Sequence, residues 1–314
     1  MGASTRELGM NTNRAEYVIH EPVMVSEVQN LVADLPEGLF IDATYGNGSH
    51  FKTFLDFPQL NLIGFDRDSD SIDNSDNSHN VNKCDFVNIS NFFDKNKITN
   101  ISGIFFDYGV STHQISSPSR GFSFQLDGPL DMRMDTESGV TAKDVLDNYS
   151  SDELKRVFIE YGEEKYSQKI ANVLSENRNL NTTNDLVELL INTLPKQNPI
   201  YTNKTIRRIF QALRIEVNDE LSQIKDSLKS VSKYISKDGK IICLTYQSLE
   251  DKIVKNFFNN ISLECICDFS SPICNCEIQP EFKIGKPKKI KPSKLEVQKN
   301  PKSKSAILRH VVRL

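Results

Sequence analysis

The chain has 314 residues, 38% of them apolar and 25% charged, with a net charge of −4. That length exceeds what one hydrophobic core usually organises, so a large domain carrying an insertion, or two domains, is expected. No apolar run approaches the ~18 residues of a membrane span, which argues against a membrane-embedded protein.

The opening segment, MGASTRELGMNTNRAEY, has no apolar signal-peptide stretch, and Glu7 and Glu16 weigh against a transit peptide. A cytosolic protein with a frayed N-terminus is expected, its six cysteines reduced. Four short apolar runs follow: GLFIDAT (38–44), NLIGFD (61–66), ISGIFFDYG (101–109) and GKIICLTY (239–246). Bounded by Gly or polar residues, they read as buried parallel strands. Three of them run into an acid, Asp42, Asp66 or Asp107. In a doubly wound sheet ligands gather beyond the carboxyl ends of the strands, so these acids are expected on one rim.

After the first strand comes TYGNGSHF, in which Gly46 and Gly48 allow a turn with positive φ close to a ligand. A dinucleotide turn asks for a third glycine where this chain has Phe51, too bulky for close helix–strand contact. S-adenosylmethionine suits the turn better. Its ammonium matches Asp42, its carboxylate the N–H groups around Gly48, Ser49 and His50, and its ribose hydroxyls Asp66. Asp66 would serve NAD equally well, so the turn carries the preference.

About 130 residues separate the third and fourth strands, far more than a crossover helix requires. The insertion, residues 111–203, is expected to be a mainly helical second domain, with Ser151 an N-cap candidate. Residues 1–110 and 204–314 then form the discontinuous first domain. In KTIRRIFQALRIEVNDELSQIKDSL, Ile206, Ile209, Phe210, Leu213, Val217, Leu221, Ile224 and Leu228 recur at helical spacing and are expected to pack on the sheet. Arg207, Gln211, Arg214 and Asn218 form a neighbouring stripe, either a solvated face or one turned to a substrate.

From Lys283 onward, eleven Lys and Arg face a single acid, Glu296, a net of +10 that leaves −14 on the rest. A basic tail on an acidic body suggests a polyanion, usually nucleic acid. Before it, Cys265-x-Cys267 and Cys274-x-Cys276 raise zinc, but zinc motifs usually separate paired cysteines by two or more residues, and no metal ligand is assigned.

The block RGFSFQLDGPLDMRMD, Arg120 to Asp135, resembles the bacterial-type 16S rRNA cytosine-N4 methyltransferase family (MraW/RsmH). HEPVMVSEV, DATYGNGSH, GFDRD, DYGVSTHQ, YGEEKYSQKIA, FQALRIEVNDEL, YQSLEDKIVK and NPKSKSAILR extend the likeness from about Tyr17 to Arg309. The resemblance implies an α/β fold, a Rossmann-like class I methyltransferase sheet with an inserted helical substrate domain. It also implies N4-methylation of a decoding-centre cytosine in small-subunit rRNA, within a ribosomal subunit or its precursor. Cofactor contacts are implied at Gly48, Ser49, His50, Asp66, Asp107 and Gln114, with a further one at Ile89, where the family usually has an aromatic residue. Gln247 stands where the family usually has histidine, and Asn47 and Ser49 where it has glycines.

Methyl transfer is an in-line displacement that depends mostly on positioning. The amino nitrogen of cytosine is a poor nucleophile, so an acceptor for its N–H would help in the transition state. Asp107 is the candidate, in competition with a purely cofactor-binding role. A base must leave its stack to react, and Phe122 and Phe124 suit it, flanked by Arg120 and Arg133 for phosphates. Arg214 and Asn218 are the further substrate-binding candidates. The alternatives are a methyltransferase acting on another substrate and an RNA-binding assembly factor without activity.

Overall fold

The computed structural model describes residues 21–195, 198–265, 267, 276 and 278–314. The expected frayed N-terminus, residues 1–20, and Cys274 lie outside the described residues. Among the described residues the sheet has seven strands: β1 Gly38–Asp42, β2 Leu60–Asp66, β3 Val81–Lys83, β4 Ile101–Asp107, β5 Ile235–Thr245, β6 Phe282–Ile284 and β7 Ile307–Arg313. Their order is β3-β2-β1-β4-β5-β7-β6. β1 to β5 run parallel, while β7 is antiparallel to both β5 and β6. This is an α/β, Rossmann-like sheet. The four expected runs are β1, β2, β4 and β5, while β3, β6 and β7 are strands that the apolar-run criterion missed. β3 and β6 have three residues each, and β7 lies in the basic segment.

β4 is buried along its length except at Asp107, because both of its faces are covered. Ile41, Ile104 and Phe106 point into one core, completed by Ile224 and Leu228 of the helix Glu220–Val231 and by Val254 and Phe258 of the helix Ser248–Ile261. Phe40 and Phe105 point into the opposite core, with Val28 and Val32 of the helix Val25–Val32 and Phe54 of the helix Ser49–Phe54. Alternating side chains thus divide between the two layers.

A third core belongs to the insertion. It is built by the helices Ala142–Asn148, Ser151–Glu160, Ser167–Glu176 and Thr183–Thr193. The N-cap of the second of these is Ser150, not the expected Ser151. Its hydroxyl accepts from the N–H of Glu153, whose carboxylate accepts in turn from the N–H of Ser150, a capping box.

The returning helix also differs from expectation. It is two helices, Pro199–Asn218 and Glu220–Val231, separated by Asp219 at φ 47°. Ile206, Ile209, Phe210 and Leu213 pack in the insertion's core, and only the residues from Leu221 onward reach the sheet. The first helix is continuous across residue 203, where the sequence suggests the second boundary.

Candidate active site

The chain leaves β1 for β2 on one side and returns to β4 on the other, so a crevice opens between the carboxyl ends of β1 and β4. A cavity of about 660 Å³ occupies it, reaching from the glycine turn to the insertion. That volume is in the range of small-molecule sites.

At the turn, Gly46 has φ 55° and Gly48 φ 72°. A Cβ on Gly48 would stand 2.5 Å from the Tyr45 hydroxyl, so the glycine serves the chain's own packing as well as the backbone conformation. Asn47, Ser49 and His50 line the cavity. Asp42 does not. It is 1% exposed and is not on the cavity wall, and its Oδ1 accepts from the N–H of Thr44 at 3.2 Å. The expectation that Asp42 meets a ligand ammonium directly is therefore corrected: Ala43 and Thr44 line the cavity in its place.

Asp66 ends β2 on the cavity wall, with Oδ2 accepting from the N–H of Gly46 at 2.6 Å and Oδ1 from that of Asp68 at 2.8 Å. Each oxygen keeps a lone pair for a hydroxyl. Gln114 also lines the cavity. Its amide donates to Asp68 Oδ2 at 2.7 Å, and its Oε1 accepts from the N–H of Ser111 at 3.0 Å. Ile89, in contrast, is fully buried in the sheet core, and in this part of the chain the aromatic residue that lines the wall is Phe86, at the start of the preceding turn.

Asp107 ends β4 at the centre of the cavity wall. The Tyr246 hydroxyl donates to its Oδ1 at 2.9 Å, and its own N–H donates to Thr44 Oγ1 at 2.7 Å. His50 Nε2 lies 3.6 Å from Asp107 Oδ2, but burial lowers the imidazole pKa to about 4. The ring is then neutral near pH 7, and the contact is not an ion pair. Glu250 accepts from the N–H groups of Tyr246 and Gln247 at 2.9 and 3.1 Å. Tyr246 and Glu250 are site residues that sequence reasoning missed. The signal available for Glu250 was its place three residues into a helix after Gln247.

Burial raises four carboxyl groups here: Asp42 to about 8, Asp107 and Glu250 to about 7 and Asp66 to about 6. A cluster of carboxylates whose ionisation is opposed by burial fits a cationic ligand, which would restore their charge. Arg67, the basic side chain beside Asp66 on this wall, is engaged with Gln223 at 2.9 Å and Asp85 at 3.6 Å. Acids, a hydroxyl acceptor and the Phe86 ring fit a sulfonium nucleoside better than a pyrophosphate.

On the insertion side, Phe122 and Phe124 line the cavity with Met134, Arg207, Phe210, Gln211 and Arg214. Phe124 meets Phe210 edge to face at 5.9 Å, and the Arg207 guanidinium stands 5.9 Å from the Phe124 ring centre. The other expected contacts are corrected by burial and pairing. Arg120 is 6% exposed and clamped by Asp68 at 2.9 Å, Asp70 at 2.7 Å and the carbonyls of Arg133 and Met134. Arg133 pairs with Asp131 at 2.8 Å, and neither arginine lines the cavity. Asn218, 2% exposed and off the wall, bonds the N–H of Met134 and the carbonyl of Met132. Arg214 remains on the wall, but its guanidinium is held by both oxygens of Glu220 at 2.7 and 2.9 Å.

The basic tail is likewise an integral part of the fold. Arg309 on β7 pairs with Asp251 at 2.6 Å and Arg313 with Glu281. Lys286, Lys288, Lys289, Lys291 and Lys294 stay exposed.

The description "MraW methylase family" matches residues 17–314. A protein of Caldicellulosiruptor saccharolyticus named ribosomal RNA small subunit methyltransferase H is 39% identical over 303 residues, covering 92% of this chain and 97% of that one. Proteins of the same name from Carboxydothermus hydrogenoformans and Clostridioides difficile are each 36% identical, covering 94% and 92% of this chain and 98% and 97% of theirs.

Proposed function

Because the chain belongs to the MraW methylase family, we propose that it methylates small-subunit ribosomal RNA from S-adenosylmethionine, at the exocyclic N4 of a decoding-centre cytosine. The names of the relatives support the RNA class. The cytosine and its N4 rest on the family resemblance of the block Arg120 to Asp135 and on the chemistry of Asp107.

The single observation that carries the reading is a carboxylate at the end of β4, on the wall of a cavity that also holds Phe122 and Phe124. S-adenosylmethionine supplies an electrophilic methyl group. Asp107 accepts an N–H of the amino group, so that the nitrogen lone pair is released toward the methyl carbon, an interaction that strengthens in the transition state. The new N–C bond forms as the S–C bond breaks, and the surplus proton on nitrogen passes to Asp107. A carboxyl group with a pKa of about 7 suits an acceptor that must later release its proton to water. Tyr246 fixes the carboxylate, while neutral His50 adds no competing charge. Phe122 and Phe124 offer faces for an unstacked base, and Arg207 with the exposed lysines offers phosphate contacts.

The test supplies tritiated cofactor and small subunits lacking this modification, then maps the labelled nucleoside. N4-methylcytidine at one decoding-centre position is expected. Asp107→Asn should lower turnover by ~10²- to 10⁴-fold with cofactor affinity nearly kept. Full turnover in that variant would remove Asp107 from the chemistry. Cofactor binding without turnover on any RNA would favour an assembly factor.

A further inference from the structure

Among the described residues between the helix Ser248–Ile261 and β6, none lines the cavity, yet three bring sulfur together. Cys265, Cys267 and Cys276 hold their Sγ atoms within 4.8 Å of one another. Cys265 is exposed and the other two are half-buried, so an ion could reach them from solvent. The N–H of Cys267 also donates to Cys265 Sγ at 3.3 Å. An amide aimed at sulfur is the kind of outer contact that orients a metal ligand.

Three sulfurs this close to one another can all serve a single metal ion. Around tetrahedral zinc, with Zn–S ≈ 2.3 Å, sulfurs stand ~3.8 Å apart. The observed grouping needs only a small contraction to reach that spacing. Thiolates select soft or borderline cations over magnesium and calcium. The objection from the Cys-x-Cys spacing concerns how the ligands are distributed along the chain, and the convergence of a residue nine positions further on answers it.

We propose that Cys265, Cys267 and Cys276 bind a zinc ion that fastens the connection from the helix Ser248–Ile261 to β6. The ion is structural, apart from the methyl-transfer chemistry. Cys274 lies outside the described residues and is not needed for the assignment.

Full-length protein purified under reducing, chelator-free conditions should carry about one zinc per chain by elemental analysis. Cobalt exchanged into the intact protein should give thiolate-to-cobalt charge-transfer absorption. That absorption should disappear in Cys276→Ser and in the Cys265→Ser/Cys267→Ser double variant, with S-adenosylmethionine affinity kept. Because the cobalt spectrum is read on the unmutated chain, poor folding of a variant does not shield the proposal. It is overturned by zinc no higher than in buffer after reconstitution, by variants that retain the metal, or by mass spectrometry showing two of the three sulfurs joined in the freshly reduced protein.

Discussion

Tyr246 reaches Asp107 from the end of β5, 139 residues along the chain, and its hydroxyl is the one hydrogen bond that lowers the pKa of a carboxyl group otherwise raised by burial. Removing it should therefore push Asp107 higher. In Tyr246→Phe the acidic limb of the pH–turnover profile is expected to move upward, and turnover at pH 7 to fall by roughly 10-fold, close to the lower end of the ~1.5–3 kcal/mol of a hydrogen bond to a charged group. Steady-state rates from pH 6 to 9 check this, and an unmoved profile would free Asp107 from Tyr246. Asp107 was legible in the sequence because an acid ending an apolar run marks a strand's carboxyl end. Tyr246 was not, since nothing local tells a tyrosine at a strand end which acid it will meet. The Ile89 contact failed for a related reason: a short turn, Phe86–Asn88, precedes the helix and brings the earlier aromatic to the wall.

Elements decide what the insertion's arginine does. Arg120 ends the turn Pro118–Arg120, and its guanidinium ties the end of β2, through Asp68 and Asp70, to the backbone at Arg133 and Met134. A phosphate could reach it only by breaking a buried pair. Arg120→Ala leaves Asp68 buried without its charged partner, with only the Gln114 amide and the N–H of Asp70 bonded to its side chain, a loss of about 3–5 kcal/mol. Thermal unfolding should show a clear drop in Tm, while the salt dependence of RNA binding by the folded variant stays as it was. A changed salt slope at unchanged Tm would return Arg120 to the RNA surface. The sequence pattern located the block but not its inward orientation, because arginine serves buried carboxylates and phosphates by the same geometry. The break at Asp219 was equally hidden. A non-glycine residue at positive φ carries little compositional signal, so one periodic run covered two helices serving two cores.

At the scale of the whole molecule, the cluster of raised carboxyl groups sets the response to pH. The buried His50 and His310, lowered to about 4, are neutral in the folded chain, while in the unfolded chain they lose their protons around pH 6.5, which offsets only part of the carboxyl effect and fades as pH rises. Unfolded carboxyls are already ionised there, yet the folded chain still holds protons on Asp42 at about 8 and on Asp107 and Glu250 at about 7. The folded state thus binds more protons, and stability falls as pH rises from about 6.5 to 8. A bound cation favours the ionised carboxylates, so saturating S-adenosylmethionine should flatten the decline. Melting curves at both ends of that window, with and without ligand, test it, and a level profile in the ligand-free protein would contradict it. The α/β class and the crevice were readable because four buried runs and three terminal acids suffice to specify them. The far side of the sheet was not, because β7 reads as a charged tail until β5 and β6 are seen on either side of it.

That arrangement of β7 bears on how the molecule is made. The strand follows β5 and β6 in the chain yet sits between them, and among the described residues β6 has no other neighbour in the sheet. Domains generally form from the N-terminal end as synthesis proceeds. Here the edge of β5 must wait with its backbone unpaired until β7 has been made, so a nascent chain can shape the donor crevice early but closes this side of its sheet only after the segment that carries β6.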